Sequence, residues 1–165
     1  MEQTVSNQIS IRPAVPSDAA TILHFINELA IYEKEPYAVK TDENAILKTL
    51  FSEGATAHSV ICLEGDTAIG FAVYFYNYST WLGKNGLYLE DLYVSADSRG
   101  KGAGKKIMQY LAKQALEKDC GRFEWVVLDW NKPAIDFYDS IGAKPQNEWI
   151  IYRLTGQELI DFANQ

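Results

Sequence analysis

The sequence is poor in residues that bind metals or form disulfides. It has two cysteines and two histidines in 165 residues, and none of them has the spacing of a metal site. Cys62 lies in the apolar run Ser59–Leu63 and Cys120 at a predicted helix-to-strand junction, so we expect reduced, unpaired thiols. His24 and His58 are isolated, as structural histidines usually are. The sequence therefore predicts a protein without a metal.

Long apolar runs and an excess of positive charge are also missing. No segment approaches the roughly 20 apolar residues that span a bilayer, and the polar start Met1–Gln8 lacks the apolar stretch of a signal peptide. The net charge of −7 disfavours nucleic-acid binding, which needs a positive surface. An acidic protein suits a small cationic substrate instead. We expect a cytoplasmic protein that binds neither membranes nor nucleic acid, with residues 1–8 as a disordered tail.

The composition and the hydrophobic pattern predict a single α/β domain over residues 1–165. The 47% apolar content suffices for a packed core, and the length fits one domain. Capping residues and helical periodicity predict helices that begin near Ser17, Thr41, Lys105, Pro133 and Thr155. Period-two patterns and turn residues predict six strands, at Ile9–Arg12, Ser59–Leu63, Ala68–Tyr76, Leu87–Val94, Phe123–Leu128 and Trp149–Leu154. The front half of this order is antiparallel, and a strand–loop–helix crossover follows it.

The strand Leu87–Val94 carries two adjacent acids, Glu90 and Asp91, inside an apolar run. Unbroken alternation along it places Asp91 on the side of Leu89 and Glu90 on the opposite side. Two acids in such a strand favour a functional role. The alternative is a pair of surface carboxylates at a sheet edge.

A glycine-rich, basic loop follows this strand and opens a helix, with the sequence Arg99-Gly100-Lys101-Gly102-Ala103-Gly104-Lys105. Three glycines in five residues let successive backbone N–H groups turn toward one point, where the helix N-terminus adds partial positive charge. Such a nest binds a diphosphate, and four nearby cations favour the same interpretation: Arg99, Lys101, Lys105 and Lys106. The alternative is a flexible glycine loop with a solvated basic face.

Two common phosphate-binding motifs do not fit this loop. Three residues, not four, separate Gly100 from Gly104, and Lys106 stands where a P-loop needs Ser or Thr. Lys105 occupies the place of the third glycine in a dinucleotide-binding fingerprint. A nucleotide-binding or phosphotransfer enzyme is therefore the disfavoured alternative.

The segment Arg99–Gly104 resembles the Arg/Gln-x-x-Gly-x-Gly/Ala signature of the GNAT acetyltransferase superfamily, whose members bind the pyrophosphate of acetyl-CoA at this loop. The resemblance covers Ile9 to Arg153. Within the superfamily the chain is similar to the spermidine/spermine and thialysine N-acetyltransferases, at Glu28–Ala30, Tyr32–Glu33, Tyr88–Asp91, Asp129–Asn131, Phe137–Tyr138 and Gly142–Ala143. This resemblance implies a homodimer with a GNAT-like fold, in which about four helices flank a mixed sheet of six to seven strands. It also implies acetyl transfer from acetyl-CoA to a primary amine of a small cationic substrate.

The resemblance further implies a role for each site residue. Glu90 would be the general base, acting through a water, and Tyr138 the general acid that protonates the leaving thiolate. The coenzyme would contact the strand end, the loop and one amide, which comprise Leu92, Tyr93, Val94, Arg99, Gly100, Lys101, Gly102, Ala103, Gly104, Lys105 and Asn131. The amine would contact acids and aromatic rings, namely Tyr32, Glu33, Trp81, Asp91 and Trp130. For Tyr138 the alternative is core packing.

One position departs from the polyamine branch of this subgroup. An acidic residue two positions before the tryptophan is replaced here by Ser79, and the run Ser79-Thr80-Trp81 is more similar to the thialysine branch. The loss of an acid favours a lysine-like amine with its own carboxylate over spermidine. Two other functions stay open: a catalytically silent acetyl-CoA-binding module, and acetylation of a protein amine.

Overall fold

A computed structural model describes residues 8–165, which form two compact units, 8–126 and 127–165. The tail predicted for residues 1–8 thus lies outside the described residues, except for Gln8, whose carbonyl accepts a hydrogen bond from the Gly65 N–H. None of the helices within residues 8–165 is long and apolar enough to cross a membrane.

The first unit contains one five-stranded sheet and three α-helices. Its strands are β1 (Ile9–Pro13), β2 (Ala57–Glu64), β3 (Thr67–Ser79), β4 (Lys84–Val94) and β5 (Arg122–Glu124). Its helices are α1 (Ala19–Tyr32), α2 (Glu43–Leu50) and α3 (Ala103–Glu117). The strands follow the order β1-β2-β3-β4-β5, with β5 parallel to β4 and all other neighbours antiparallel. The predicted α/β class, antiparallel front half and crossover through α3 are confirmed.

The second unit contains two helices, α4 (Lys132–Ser140) and α5 (Gly156–Ala163). Asn131 caps α4, because its side-chain oxygen accepts the Ala134 N–H at 3.5 Å. Pro133 lies in the first turn of α4, where backbone N–H groups have no helical acceptor, so the missing N–H of proline costs no hydrogen bond. This unit begins its helices where the sequence predicts them.

The sheet of the first unit is buried on both faces. Ile61 of β2 belongs to a core cluster with α1 and α2 whose other buried members are Ala19, Ile22, Phe25, Leu29, Ile46, Phe71 and Tyr93. The flanking residues Val60 and Cys62 are also fully buried, so they point to the opposite face. On that face α3 supplies Ile107, Met108 and Leu111, and the charge of its Lys106 acts on the Cys62 thiol.

Five sequence predictions about elements are corrected. The sheet has five strands among the described residues, not six to seven, and the fifth is Arg122–Glu124 instead of Phe123–Leu128. Trp149–Leu154 is not a strand, since apolar composition makes a strand only where a neighbour supplies backbone hydrogen bonds. Helix α3 begins at Ala103, two residues before the predicted start. The cap of α2 is Asp42 instead of Thr41, because the Asp42 carboxylate accepts the Ala45 N–H at 2.7 Å.

Candidate active site

Strand β4 carries a bulge at Glu90. Val73 of β3 pairs with Asp91, and the next residue Tyr74 pairs with Leu89, so Glu90 has no partner on β3. A bulge of this kind bends the strand and redirects the side chains next to it. The two adjacent acids therefore lie at the one irregularity of the β3–β4 ladder.

The bulge also changes which residues share a face of β4. Tyr88 contacts Phe75 with ring centres 5.1 Å apart, and Tyr93 lies in the core cluster on the α1 face. Phe75, Val73 and Phe71 alternate along β3, so their partners on β4 share that face. Asp91 is thus on the side of Tyr88 and Tyr93, and the predicted alternation with Leu89 is wrong because the bulge inserts an extra residue.

The charges of two carboxylates act on a third near this bulge. Asp91 is half-buried, and burial, together with the negative charges of Glu90 and Glu33, raises its pKa to about 6. Glu33 follows the last residue of α1, and burial raises its pKa as well. Glu90 itself is exposed. A carboxylate that is destabilised by neighbouring negative charges is stabilised when a cation binds beside it.

Arg99 lies against two tyrosines of this region. Its guanidinium carbon is 4.9 Å from the ring centre of Tyr32 and 5.5 Å from that of Tyr93. Its Nε donates a hydrogen bond to the Val94 carbonyl at 3.1 Å. Burial raises the pKa of Tyr93, the positive charge of Arg99 lowers it in part, and the charge of Glu28 raises it further. The side chain thus connects the end of α1 to the end of β4.

The glycine-rich loop has the backbone of an anion site. Gly100 and Gly102 have φ of +80° and +78°, a conformation that favours glycine, and Gly102 is the N-cap of α3. The Lys106 N–H bonds to the Gly102 carbonyl, so the N–H groups of residues 103–105 precede the helical hydrogen bonds. Three donors at the positive end of a helix fit a diphosphate.

Two neighbouring features bear on the same ligand. Strand β5 pairs with β4 only over Gly86–Tyr88, so within the first unit the backbone of Leu92–Val94 has no strand beside it on that edge. Such an edge offers N–H and C=O groups to an extended ligand. Lys101, by contrast, is in an ion pair with Glu64 at 2.9 Å. Among residues 8–165 no group of three or more His, Cys, Asp or Glu side chains is arranged to hold a metal.

The structure does not bring Trp81 to the carboxylates of the same chain. Trp81 lies in the turn between β3 and β4 and is 88% exposed. The strand rises about 3.3 Å per residue, so Lys84 at its start is roughly 23 Å from Asp91. Ser79 is buried, and its hydroxyl accepts the Leu82 N–H at 3.2 Å. Ser79 therefore stabilises the turn.

The second unit holds the remaining predicted site residues, Trp130, Asn131 and Tyr138. Asn131 begins α4, and Tyr138 is half-buried two helical turns later, with its ring centre 5.7 Å from that of Phe137. Sequence reasoning did not assign a role to Glu28, whose carboxylate acts on Tyr93. Its spacing of one helical turn from Tyr32 is the signal that could have indicated it.

Comparisons with known proteins agree with this geometry. A profile of the acetyltransferase (GNAT) family matches residues 23–143. The thialysine N-epsilon-acetyltransferase of Sus scrofa is 38% identical, over 95% of this chain and 98% of that protein. An L-ornithine N5-acetyltransferase of Arabidopsis thaliana is 31% identical, over 90% of this chain and 85% of its own length.

A solved structure gives the same result for the fold. An integron cassette protein from the mobile metagenome of V. cholerae superposes with a TM-score of 0.80 at 29% identity, over 95% of this chain and 98% of that one. The fold, the glycine loop at the start of α3 and the extent of these similarities lead to one conclusion: the chain belongs to the acetyltransferase (GNAT) family and is an N-acetyltransferase.

Proposed function

We propose that the chain transfers the acetyl group of acetyl-CoA to the side-chain amine of thialysine or of a similar lysine-like amino acid. The observation that carries this proposal is the group of three carboxylates, Glu33, Glu90 and Asp91, on the strand and helix that adjoin the glycine loop. A protonated amine is the ligand such a group favours. The names of the thialysine and ornithine relatives support an amino acid with a terminal amine.

The substrate amine must lose a proton before it can attack. A lysine-type amine has a pKa near 10.4, so it is protonated at neutral pH. In our proposal Asp91 binds the ammonium group. Its half-buried negative charge is destabilised by the charges of Glu33 and Glu90, so a bound cation stabilises it. Glu90, exposed at the bulge, takes the proton through a water.

The co-substrate supplies an acetyl thioester, which needs no metal and no covalent enzyme intermediate. The N–H groups of residues 103–105 and the Lys105 side chain bind its diphosphate. The backbone of Leu92–Val94 pairs with its extended arm, apart from the Val94 carbonyl, which accepts a hydrogen bond from Arg99. Asn131 hydrogen-bonds the same arm, and the Tyr138 phenol donates a proton to the departing thiolate. The roles of these two residues rest on the resemblance to the acetyltransferases.

A homodimer completes this proposal. Trp81 is far from Asp91 along β4 of its own chain, so it contributes to an amine pocket only if a second copy presents it. An exposed tryptophan in a polar turn is suited to that role, since it offers a ring face to a cation. The preference for a lysine-like amine over spermidine is drawn from the relatives, because Ser79 serves the turn.

Steady-state kinetics with matched amines test the proposal. We expect kcat/KM for thialysine and lysine to exceed that for spermidine. Glu90→Gln and Tyr138→Phe each lower kcat by about a hundredfold or more, the usual effect of removing a general base or acid. Asp91→Asn raises KM for the amine more than it lowers kcat.

Three outcomes would contradict parts of this account. A strong preference for spermidine would reject the lysine-like substrate. Full activity of the double variant Glu90→Gln, Tyr138→Phe would reject the assigned acid and base. Tight acetyl-CoA binding without turnover of any small amine would favour a silent binding module, or a protein amine as the acceptor.

A further inference from the structure

We propose that Arg99 is a positioning residue that connects the end of α1, next to Glu33, to the end of strand β4. We also propose that its guanidinium does not bind the diphosphate. This inference rests on the proposed function. Arg99 opens the glycine signature, so the sequence pattern alone assigns it to the coenzyme. Its contacts point in another direction.

One side chain joins three elements of the first unit. Tyr32 is the last residue of α1, Tyr93 lies near the end of β4, and Arg99 leaves the loop between β4 and α3. The guanidinium lies 4.9 Å and 5.5 Å from the two ring centres, within the distance of cation–π contacts. Its Nε also holds the Val94 carbonyl at 3.1 Å.

The two tyrosines differ in burial, and this difference indicates which of them supports the other. Tyr93 is 5% exposed and packs with Phe25 of the core cluster, so it is a fixed support. Tyr32 is 36% exposed at the helix end. Arg99 therefore holds Tyr32 against a rigid strand. Glu33 is the next residue in the chain, and its charge acts on Asp91. Fixing Tyr32 therefore also fixes the position of Glu33 relative to Asp91.

Other groups of the loop are placed to bind the diphosphate. The N–H groups of residues 103–105 lie at the helix N-terminus, with Lys105 on the same turn. Lys101 is held by Glu64 through both carboxylate oxygens, at 2.9 Å and 3.1 Å. The basic loop thus divides into cations that stabilise the protein, Arg99 and Lys101, and the donors at the start of α3.

The test compares two acetyl thioesters that differ in the diphosphate. Acetyl-CoA carries it, whereas S-acetyl-N-acetylcysteamine has the reacting end alone. Arg99→Gln keeps a donor for the Val94 carbonyl but removes the cation, and Arg99→Lys keeps the charge without the planar group. Lys105→Met is the contrasting variant, since it removes an exposed cation from the first turn of α3.

We expect Arg99→Gln to lower kcat/KM for thialysine about five- to thirtyfold with both thioesters, as the loss of two cation–π contacts predicts. The change should reside mainly in KM for the amine, with Arg99→Lys intermediate. Lys105→Met should lose activity with acetyl-CoA only. The losses of Arg99→Gln and Tyr32→Leu should be less than additive in the double variant, because both remove the Arg99–Tyr32 contact.

A loss by Arg99→Gln that disappears with the truncated thioester would overturn the proposal, since it would make Arg99 a diphosphate ligand. A lower free energy of unfolding with unchanged amine KM would overturn it too, by reducing Arg99 to a purely structural role. Wild-type enzyme that acetylates no amine refutes the proposed function instead. The affinity for desulfo-CoA then decides: a Kd raised by Lys105→Met but not by Arg99→Gln supports the proposal, and a Kd raised equally by both rejects it.

Discussion

Replacing Asp91 with asparagine should stabilise the protein while it impairs amine binding. The Asp91 carboxylate is half-buried near Glu90 and Glu33, and its pKa is about 6 instead of the ordinary 3.8. The folded state therefore binds a proton more readily than the unfolded chain between these two pH values. The contribution of Asp91 to stability is therefore fully present below about pH 4 and is lost as the pH rises through about 6, where Asp91 becomes charged in the fold.

The size of this effect follows from the two pKa values. Each pH unit between them corresponds to about 1.4 kcal/mol, so the charged carboxylate destabilises the fold by about 3 kcal/mol at neutral pH. An asparagine keeps the shape and removes the charge. We expect Asp91→Asn to raise the free energy of unfolding by about 2–3 kcal/mol, or Tm by about 5–10 °C for a chain of this size.

Urea unfolding of wild type and Asp91→Asn at about pH 7 and about pH 4 measures the effect. The gain should be present at the higher pH and nearly absent at the lower one. Asp66→Asn is the matched control, because Asp66 is exposed in the β2–β3 turn and should change stability little at either pH. A variant that is no more stable than wild type at neutral pH would refute the electrostatic reasoning, as would an equal gain at both pH values.

Three further predictions concern the sheet, the loop and the cysteines. Gly70→Ala should lower the free energy of unfolding in urea by about 1–3 kcal/mol, because the new Cβ would lie 2.5 Å from the Tyr93 carbonyl oxygen. The same change at Gly104, where the nearest atom is 4.0 Å away, should leave the free energy of unfolding unchanged. Gly102→Ala should cost about 1–2 kcal/mol and weaken acetyl-CoA binding, since φ is +78° there; calorimetric titration with an unchanged Kd would contradict this. Cys62, whose pKa burial raises to about 11, should resist a thiol reagent until the protein unfolds, while the more exposed Cys120 reacts earlier; equal rates would disprove the difference.

Local sequence signals predicted the elements of the site because they depend on neighbouring residues. The apolar run of β4, the glycines after it and the amphipathic pattern of α3 are all contiguous, and the structure has them in that order. The pattern predicts the start of α3 two residues too late, since Ala103 and Gly104 are poor signals of a helix start by themselves. The predicted N-cap of α2 is wrong by one residue for a similar reason. Thr41 and Asp42 are both good N-cap residues, and only the backbone geometry determines that Asp42 accepts the Ala45 N–H.

Features that depend on distant residues were not predictable. The bulge at Glu90 is a property of the pairing between β3 and β4, and no pattern within β4 shows it. Trp149–Leu154 has the composition of a strand, but strand formation depends on a partner. The signature locates the loop, yet the direction of the Arg99 side chain is set by two tyrosines outside it.

The central claim is acetyl transfer to a lysine-like amine, and its most direct test identifies the product. The enzyme is incubated with acetyl-CoA and an equimolar mixture of thialysine, lysine, ornithine, putrescine and spermidine, and free thiol and product masses are followed together. We predict one acetylated amine for each thiol released, with thialysine consumed first and the acetyl group on its side-chain nitrogen. Consumption of spermidine ahead of the amino acids, or acetyl-CoA binding with no thiol released, would contradict the account.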